Sequence, residues 1–348
     1  MQTLIYFFNI ILTNYSYLYI FIIYITMDKS LLLILSGLSL FLFSLDQIKK
    51  HLNTLFISKL HNFISKSVNT KLKSFLVGCI ASAAIQSSSG ITAIAISLLS
   101  SNYIKKKDCL GIIIGANLGT CLTTFIIAIN FNNISLFIII FSFILYITIN
   151  KYRKIFLLFI YIGIMLLGLD ILNNGFNSII NNNYIYNIIK QTQNSNFLSI
   201  LFGILSTAII QSSSGIIGIV ENMYSSNLIN LNCAISIMLG ANIGTTLTGY
   251  LATFNTNNNT KIIVNRNLIF NVLGVLLFIL FFNIFINHIS NLETKYFSNN
   301  LKFSIAYAHF IFNLITVILG YIFFNLFTYK IETKKMWIIS HLFTFLFL

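Results

Sequence analysis

Residues 83–90 read AAIQSSSG and residues 208–215 read AIIQSSSG, while residues 115–120 read GANLGT and residues 240–245 read GANIGT. Both motifs recur at the same offset of 125 positions, 86 to 211 and 115 to 240. Two matches in one register mark the duplication of a single structural unit. Each QSSSG stretch interrupts a long apolar run, 74–100 in the first copy and 197–223 in the second. Irregular backbone at membrane depth is tolerated only where protein or a water-lined cavity satisfies its polar groups. The interruptions therefore mark an interior site rather than a lipid-facing one.

Composition supports a membrane setting. Of 348 residues, 57% are hydrophobic and 8% are charged, against about 25% charged in soluble domains. So few charges cannot cover the surface of a soluble fold of this length. Runs long enough to cross a bilayer, about 17 to 25 residues, fall near 30–48, 109–129, 133–150, 155–172, 233–254, 267–287 and 303–328. The expected fold is an all-α, polytopic membrane protein with no soluble domain. The Asn-rich stretch 173–196 reads as a loop. Proline is absent, so breaks must come from Gly, Ser and Asn. The first 26 residues are apolar and uncharged, without the basic segment of a signal peptide. The expectation is that the protein starts at Met27, or that 1–26 is dispensable and packs on neither repeat.

The net charge of +14 raises nucleic-acid binding, but its distribution excludes that class. Lys and Arg cluster between apolar runs, as the positive-inside rule requires. If 74–100 and 197–223 are re-entrant hairpins, the loops 49–73, 101–108, 151–154, 255–266 and 330–335 share one side and carry 17 of the 21 basic residues. Only Lys29, Lys190, Lys295 and Lys302 lie opposite. If every run crosses, the split falls to 12 against 9. The hairpin arrangement gives each copy three crossings and inverts the second relative to the first. Inverted repeats with broken segments meeting near the midplane are a recurring transporter architecture. The expected units are 1–26 as an extra segment, 27–154 and 155–287 as the two repeats, and 288–348 as C-terminal helices.

The chemistry follows from the interruptions. Gln86, Ser87, Ser88 and Ser89, with Gln211, Ser212, Ser213 and Ser214, supply hydroxyl donors for an oxyanion and oxygen lone pairs for a cation. A helix starting just after each turn adds free N–H groups and a partial positive charge. Serines also serve simply as helix-packing residues, but two copies in register favour a site. Asn117, Thr120, Asn242 and Thr245 sit in the Gly-rich runs, which are expected to break their helices and bond across to the hairpin tips. Such runs are also common in plain helix packing. Neither is a nucleotide loop.

Three of the seven acids, Asp46, Asp170 and Glu221, lie in or at the end of apolar segments. Glu221 breaks the pseudo-symmetry, because the residue at the same offset in the first copy is Ile96. It is the candidate for cation coupling. His309 precedes Asn313 by four residues and Asn267 precedes Asn271 by four, a spacing that suits helix packing as well as a site. The four cysteines (Cys79, Cys109, Cys121, Cys233) lack metal-ligand spacing and are expected to be buried and reduced. No constellation of residues supports catalysis.

The twin QSSS, the twin GAN[LI]GT and the AHFIFN segment at 308–313 resemble the Na⁺/phosphate cotransporter family, particularly its bacterial members. The resemblance runs from about Leu31 to Asn325. It implies Na⁺-coupled symport of inorganic phosphate across the cell membrane by alternating access, with both QSSS segments lining the substrate site. Na⁺ is then the coupling ion, and no cofactor is expected. Departures are Asn267 where the family usually has His, and Gly90 and Gly215 where Ala or Thr is common. Many bacterial relatives also end in a PhoU-like soluble helical domain, which is not read in this sequence; the resemblance leaves a PhoU-like partner as an expectation and does not extend to coupling with phosphate regulation. The alternatives are transport or efflux of another small oxyanion and, from a different class, a channel or a non-transporting membrane sensor.

Overall fold

A computed structural model describes residues 29–68, 70–129, 134–180, 189–190, 193, 195–252 and 258–323. The described residues are helical with no strand. In chain order they form α1 (Lys29–Ser67), α2 (Lys71–Ile85), α3 (Ser88–Ser100), α4 (Lys106–Gly119), α5 (Cys121–Ala128), α6 (Ile134–Thr148) and α7 (Arg153–Ile180). The second half contributes α8 (Asn196–Ile210), α9 (Ser213–Ser225), α10 (Leu231–Ala252), α11 (Asn258–Leu280), α12 (Phe282–Leu292) and α13 (Lys302–Ile322). Among the described residues, five stretches are long and apolar enough to cross a membrane: Lys29–Ile57, Lys106–Ala128, Asn150–Ile180, Thr260–Leu280 and Lys302–Ile322. The protein is an all-α, multi-pass membrane protein.

The outer surface agrees with lipid as the solvent. On α6 the buried residues are Ser135 and Ser142, while Phe137, Ile140, Phe141 and Ile144 are all more than half exposed. A helix that hides its serines and displays its phenylalanines is stable only where the surroundings are apolar. Ser135 uses its buried position to donate to Asp170 Oδ2 on α7 at 3.2 Å.

The duplication seen in the sequence recurs contact by contact. A Cβ added to Gly115 would overlap the Phe75 carbonyl oxygen, and one added to Gly240 would overlap the Ile200 carbonyl oxygen. Gly119 and Gly244 stand in the same way against Cys79 and Ile204. Ser74 donates to Asp108 at 3.4 Å and Ser199 to the Cys233 sulfur at 3.4 Å. Each of these pairs is related to its twin by 125 positions. The two copies thus pack α2 on α4 and α8 on α10 in one register. The copies also interlock, because α9 packs on α5 and α3 packs on α10.

Several expectations change. The stretch 49–73 is not a loop: α1 continues through it to Ser67. Helix propagation is uninterrupted there because no Gly or Pro intervenes and Leu60 and Ile64 find buried positions. The supposed loop 173–196 begins as helix, since α7 runs to Ile180. The two Gly-rich runs differ. α10 is continuous across GANIGT, whereas GANLGT ends α4 at Gly119 and α5 restarts at Cys121, with the intervening Thr120 keeping right-handed helical angles, φ −69° and ψ −18°. In both runs the glycines serve close approach of helix backbones. The four cysteines are all free, with Cys109, Cys121 and Cys233 buried and Cys79 half-buried. Residues 1–26 and 330–335 lie outside the described residues.

Candidate functional site

The two QSSSG turns fold identically because the same local rules act on the same residues. α2 ends at Gln86, whose φ of 52° and ψ of 36° place it in the left-handed region. α8 ends at Gln211 with φ 58° and ψ 28°. That conformation usually belongs to Gly or Asn, so a glutamine here carries backbone strain on the order of 1–3 kcal/mol. The chain then extends through Ser87 (φ −150°) and Ser212 (φ −149°). Each of these serines caps the next helix: the Gly90 N–H donates to Ser87 Oγ at 3.0 Å, and the Gly215 N–H donates to Ser212 Oγ at 3.1 Å. The remaining first-turn N–H groups of α3 and α9 are left facing the break.

The helices before and after each QSSSG turn have 15 and 13 residues. At 1.5 Å per residue they measure about 22 and 20 Å, short of the roughly 30 Å hydrocarbon core.

The two tips meet at a cavity of about 450 Å³. Ser87, Ser89 and Gly90 line it from the first tip, and Gln211 and Ser212 from the second. The third wall is α1, through Asp46, Lys49, Lys50 and Asn53. The volume exceeds that of a single tetrahedral oxyanion and leaves room for water or small ions beside it.

Lys49 is the residue that sequence reasoning missed. Its ammonium donates to Ser212 Oγ at 2.5 Å, across 163 positions of chain. The linear reading placed Lys49 at the head of a basic loop. The spacing Asp46, Lys49, Lys50 carried the available signal: three charges within one turn and a half at the end of the apolar run 30–48. Lys50 pairs with Asp46 at 2.6 Å, and both are largely exposed. Lys49 turns inward.

The other expected site residues separate into groups. Ser88, Ser213 and Ser214 are buried in the first turns of their helices, and Ser214 Oγ lies 3.4 Å from Ser212 Oγ. Gln86 forms the turn but does not line the cavity. The Gly-rich runs do not reach the tips. Asn117 donates to Asn271 Oδ1 on α11 at 3.4 Å, and Asn242 Oδ1 accepts from Asn313 on α13 at 3.4 Å. Thr120 and Thr245 bond carbonyls of their own helices, Asn117 at 2.7 Å and Ala241 at 2.9 Å. The physical reason is the close packing at the glycines, which turns the Asn face of each run toward α11 and α13 instead.

His309 belongs to that second polar network. It is fully buried, with Nδ1 3.3 Å from Thr124 Oγ1. Asn313 also donates to Cys121 Sγ at 3.5 Å. Asn267 joins through Asn271, whose amide donates to its Oδ1 at 3.2 Å. Glu221 is fully buried on α9, and neither carboxylate oxygen has a hydrogen-bond partner among the described residues.

Comparison with known proteins fits this geometry. The family model described as Na⁺/Pi-cotransporter matches residues 40–174 and 164–291, one match for each copy of the motifs. The chain is 28% identical over 239 residues to the uncharacterized protein YqeW of Bacillus subtilis, covering 68% of this chain and 78% of that protein. It is 23% identical over 254 residues to the "Putative inorganic phosphate export protein YjbB" of Escherichia coli, covering 72% of this chain and 47% of that protein. A segment of 51 residues is 47% identical to the human sodium-dependent phosphate transport protein 2B, covering 15% of this chain and 7% of that protein. The chain thus spans about half the length of the YjbB relatives. No solved structure matches the chain significantly.

Proposed function

Because the chain belongs to the Na⁺/Pi-cotransporter family, we propose that it carries inorganic phosphate across the cell membrane by alternating access, with Na⁺ as the coupling ion. The observation that carries this reading is the cavity between the two QSSSG tips, to which both copies contribute hydroxyls. Phosphate is held by Ser87, Ser89 and Ser212 and by the first-turn N–H groups of α3 and α9. A hydrogen bond to an ionised acceptor contributes about 1.5–3 kcal/mol net of the water bonds it replaces, and the hydroxyls and N–H groups of the two tips supply several. Na⁺ takes oxygen ligands from the Gln211 amide, serine hydroxyls and the carbonyls exposed where α2 and α8 end.

The split of 17 basic residues against 4 and the short helices flanking each QSSSG turn support an inverted repeat with both hairpins re-entrant. The cavity then lies where the copies meet, and rocking of one copy against the other exposes it to each side in turn. Glu221, buried and unpaired, is the residue that would couple a cation to that motion.

A second reading, phosphate export, is favoured by the name of the YjbB relatives, which match 72% of this chain. Reconstitution into liposomes separates the two. Under the first reading, an inward Na⁺ gradient drives uptake of radiolabelled phosphate above its equilibrium level. Phosphate flux that ignores the Na⁺ gradient in both directions rules out Na⁺ coupling.

A further inference from the structure

Lys49 stands out because the repeat does not account for it. The residue at the same offset in the second copy is Asn174, which is exposed on α7. The cavity therefore has serines from both copies but a cavity-facing ammonium from one. A lysine in an apolar span normally extends its head toward the interface. This one bends inward and spends a hydrogen bond on Ser212 Oγ at 2.5 Å. The neighbouring carboxylate does not explain that choice, since Asp46 is held by Lys50 at 2.6 Å.

An ammonium has three donors, and Ser212 is the one hydrogen-bond partner of Lys49 among the described residues. Two N–H directions remain for a ligand in the cavity. Ser212 Oγ already accepts from the Gly215 N–H at 3.1 Å, so with the Lys49 bond its hydroxyl can only donate, to Ser214 Oγ at 3.4 Å or to a ligand in the cavity. Lysine and serine together thus present donors, and no acceptor, to an anion beside them.

We propose that Lys49 is a resident counter-charge of this cavity, which lets a tetrahedral oxyanion bind without Na⁺ and so takes the place of one coupling cation. The inference rests on the reading of the cavity as the phosphate site. A cavity lined only by serines and helix N-termini has partial charges to set against a dianion, and added cations must supply the rest. A fixed ammonium supplies one full charge at no cost in captured ions. Na⁺ then adds to affinity and drives transport but is not needed to fill the site.

The test is binding of radiolabelled inorganic phosphate to the purified full chain in detergent, in sodium chloride and in choline chloride. Wild type is expected to bind in both, with no more than about a tenfold loss in choline. Lys49→Met is expected to bind in sodium but to lose a further tenfold or more in choline, roughly the effect of one ionic hydrogen bond. Lys49→Arg, which keeps the charge, is expected to stay within about threefold of wild type. Wild-type binding that requires sodium overturns the proposal while leaving the phosphate reading intact. Equal choline binding by wild type and Lys49→Met also overturns it. Absence of wild-type phosphate binding in both media refutes the phosphate reading and this inference with it. If Lys49→Met fails to fold, the wild-type choline measurement and Lys49→Arg decide.

Discussion

Gly240 lies so close to the backbone of Ile200 that a β-carbon at position 240 would overlap the Ile200 carbonyl oxygen, and Gly115 repeats this against Phe75. The obstacle in both cases is backbone, which cannot rotate aside. Gly240→Ala and Gly115→Ala are therefore expected to destabilise the protein by about 1–3 kcal/mol or more. Thermal unfolding followed by size-exclusion fluorescence should show a clear drop for each. An unchanged midpoint would mean that α8 and α10 do not meet at this register.

The serines divide by geometry. Ser89 lines the cavity and its hydroxyl lies 3.2 Å from Ser87 Oγ. Ser87 also caps α3. Ser89→Ala is expected to cut phosphate transport at least tenfold with little change in stability. Ser87→Ala is expected to lose transport and about 1 kcal/mol of stability through the missing cap. Transport measured beside thermal unfolding separates the two effects. Wild-type transport in the Ser89→Ala, Ser212→Ala double variant would remove the cavity from consideration as the substrate site.

Thr70 stands before α2, and Tyr103, exposed, stands beyond α3. With both hairpins re-entrant, single cysteines at 70, 103 and 153 in a cysteine-free background should all react with an impermeant maleimide from one side. A cysteine at Asn230 should react from the other. Labelling of 70 and 103 from opposite faces would abolish the first hairpin and the inverted repeat with it.

Glu221 is expected to act through its charge. With both oxygens unpaired and buried, a carboxylate there is costly unless a cation joins it. Glu221→Gln should leave the melting temperature equal or higher while raising the Na⁺ concentration needed for half-maximal transport at least threefold. A variant with unaltered Na⁺ dependence assigns Glu221 no part in coupling.

Asn242 and Asn313 hold α10 to α13. Their alanine variants should combine non-additively, with a coupling of about 0.5–1.5 kcal/mol in a double-mutant cycle of stability. Simple additivity would mean that the amides are not bonded to each other.

The sequence by itself determined whatever depends on neighbours along the chain. Apolar run length set the helical membrane class, because uninterrupted apolar runs of about 17–25 residues match a spanning helix, which satisfies its own backbone, and not the shorter strands of a barrel. The repeated QSSSG located both turns, because a left-handed Gln followed by a capping Ser is a property of five consecutive residues. The 125-residue offset foretold that the packing is duplicated; the seating of Gly115 on Phe75 and of Gly240 on Ile200 came from the structure.

Only the tertiary structure decided which side chains meet across helices. Along the chain the charges at Asp46, Lys49 and Lys50 mark a cluster at the end of a span but not which of them turns inward; the contact of Lys49 with Ser212 bridges 163 positions. Asn117 finds Asn271 across 154 positions and Asn242 finds Asn313 across 71, where the motif had suggested the hairpin tips. The rotation of each Gly-rich helix about its own axis fixes those partners. That rotation is set by how closely its glycines seat against the facing backbone, which is a property of two surfaces and not of one segment.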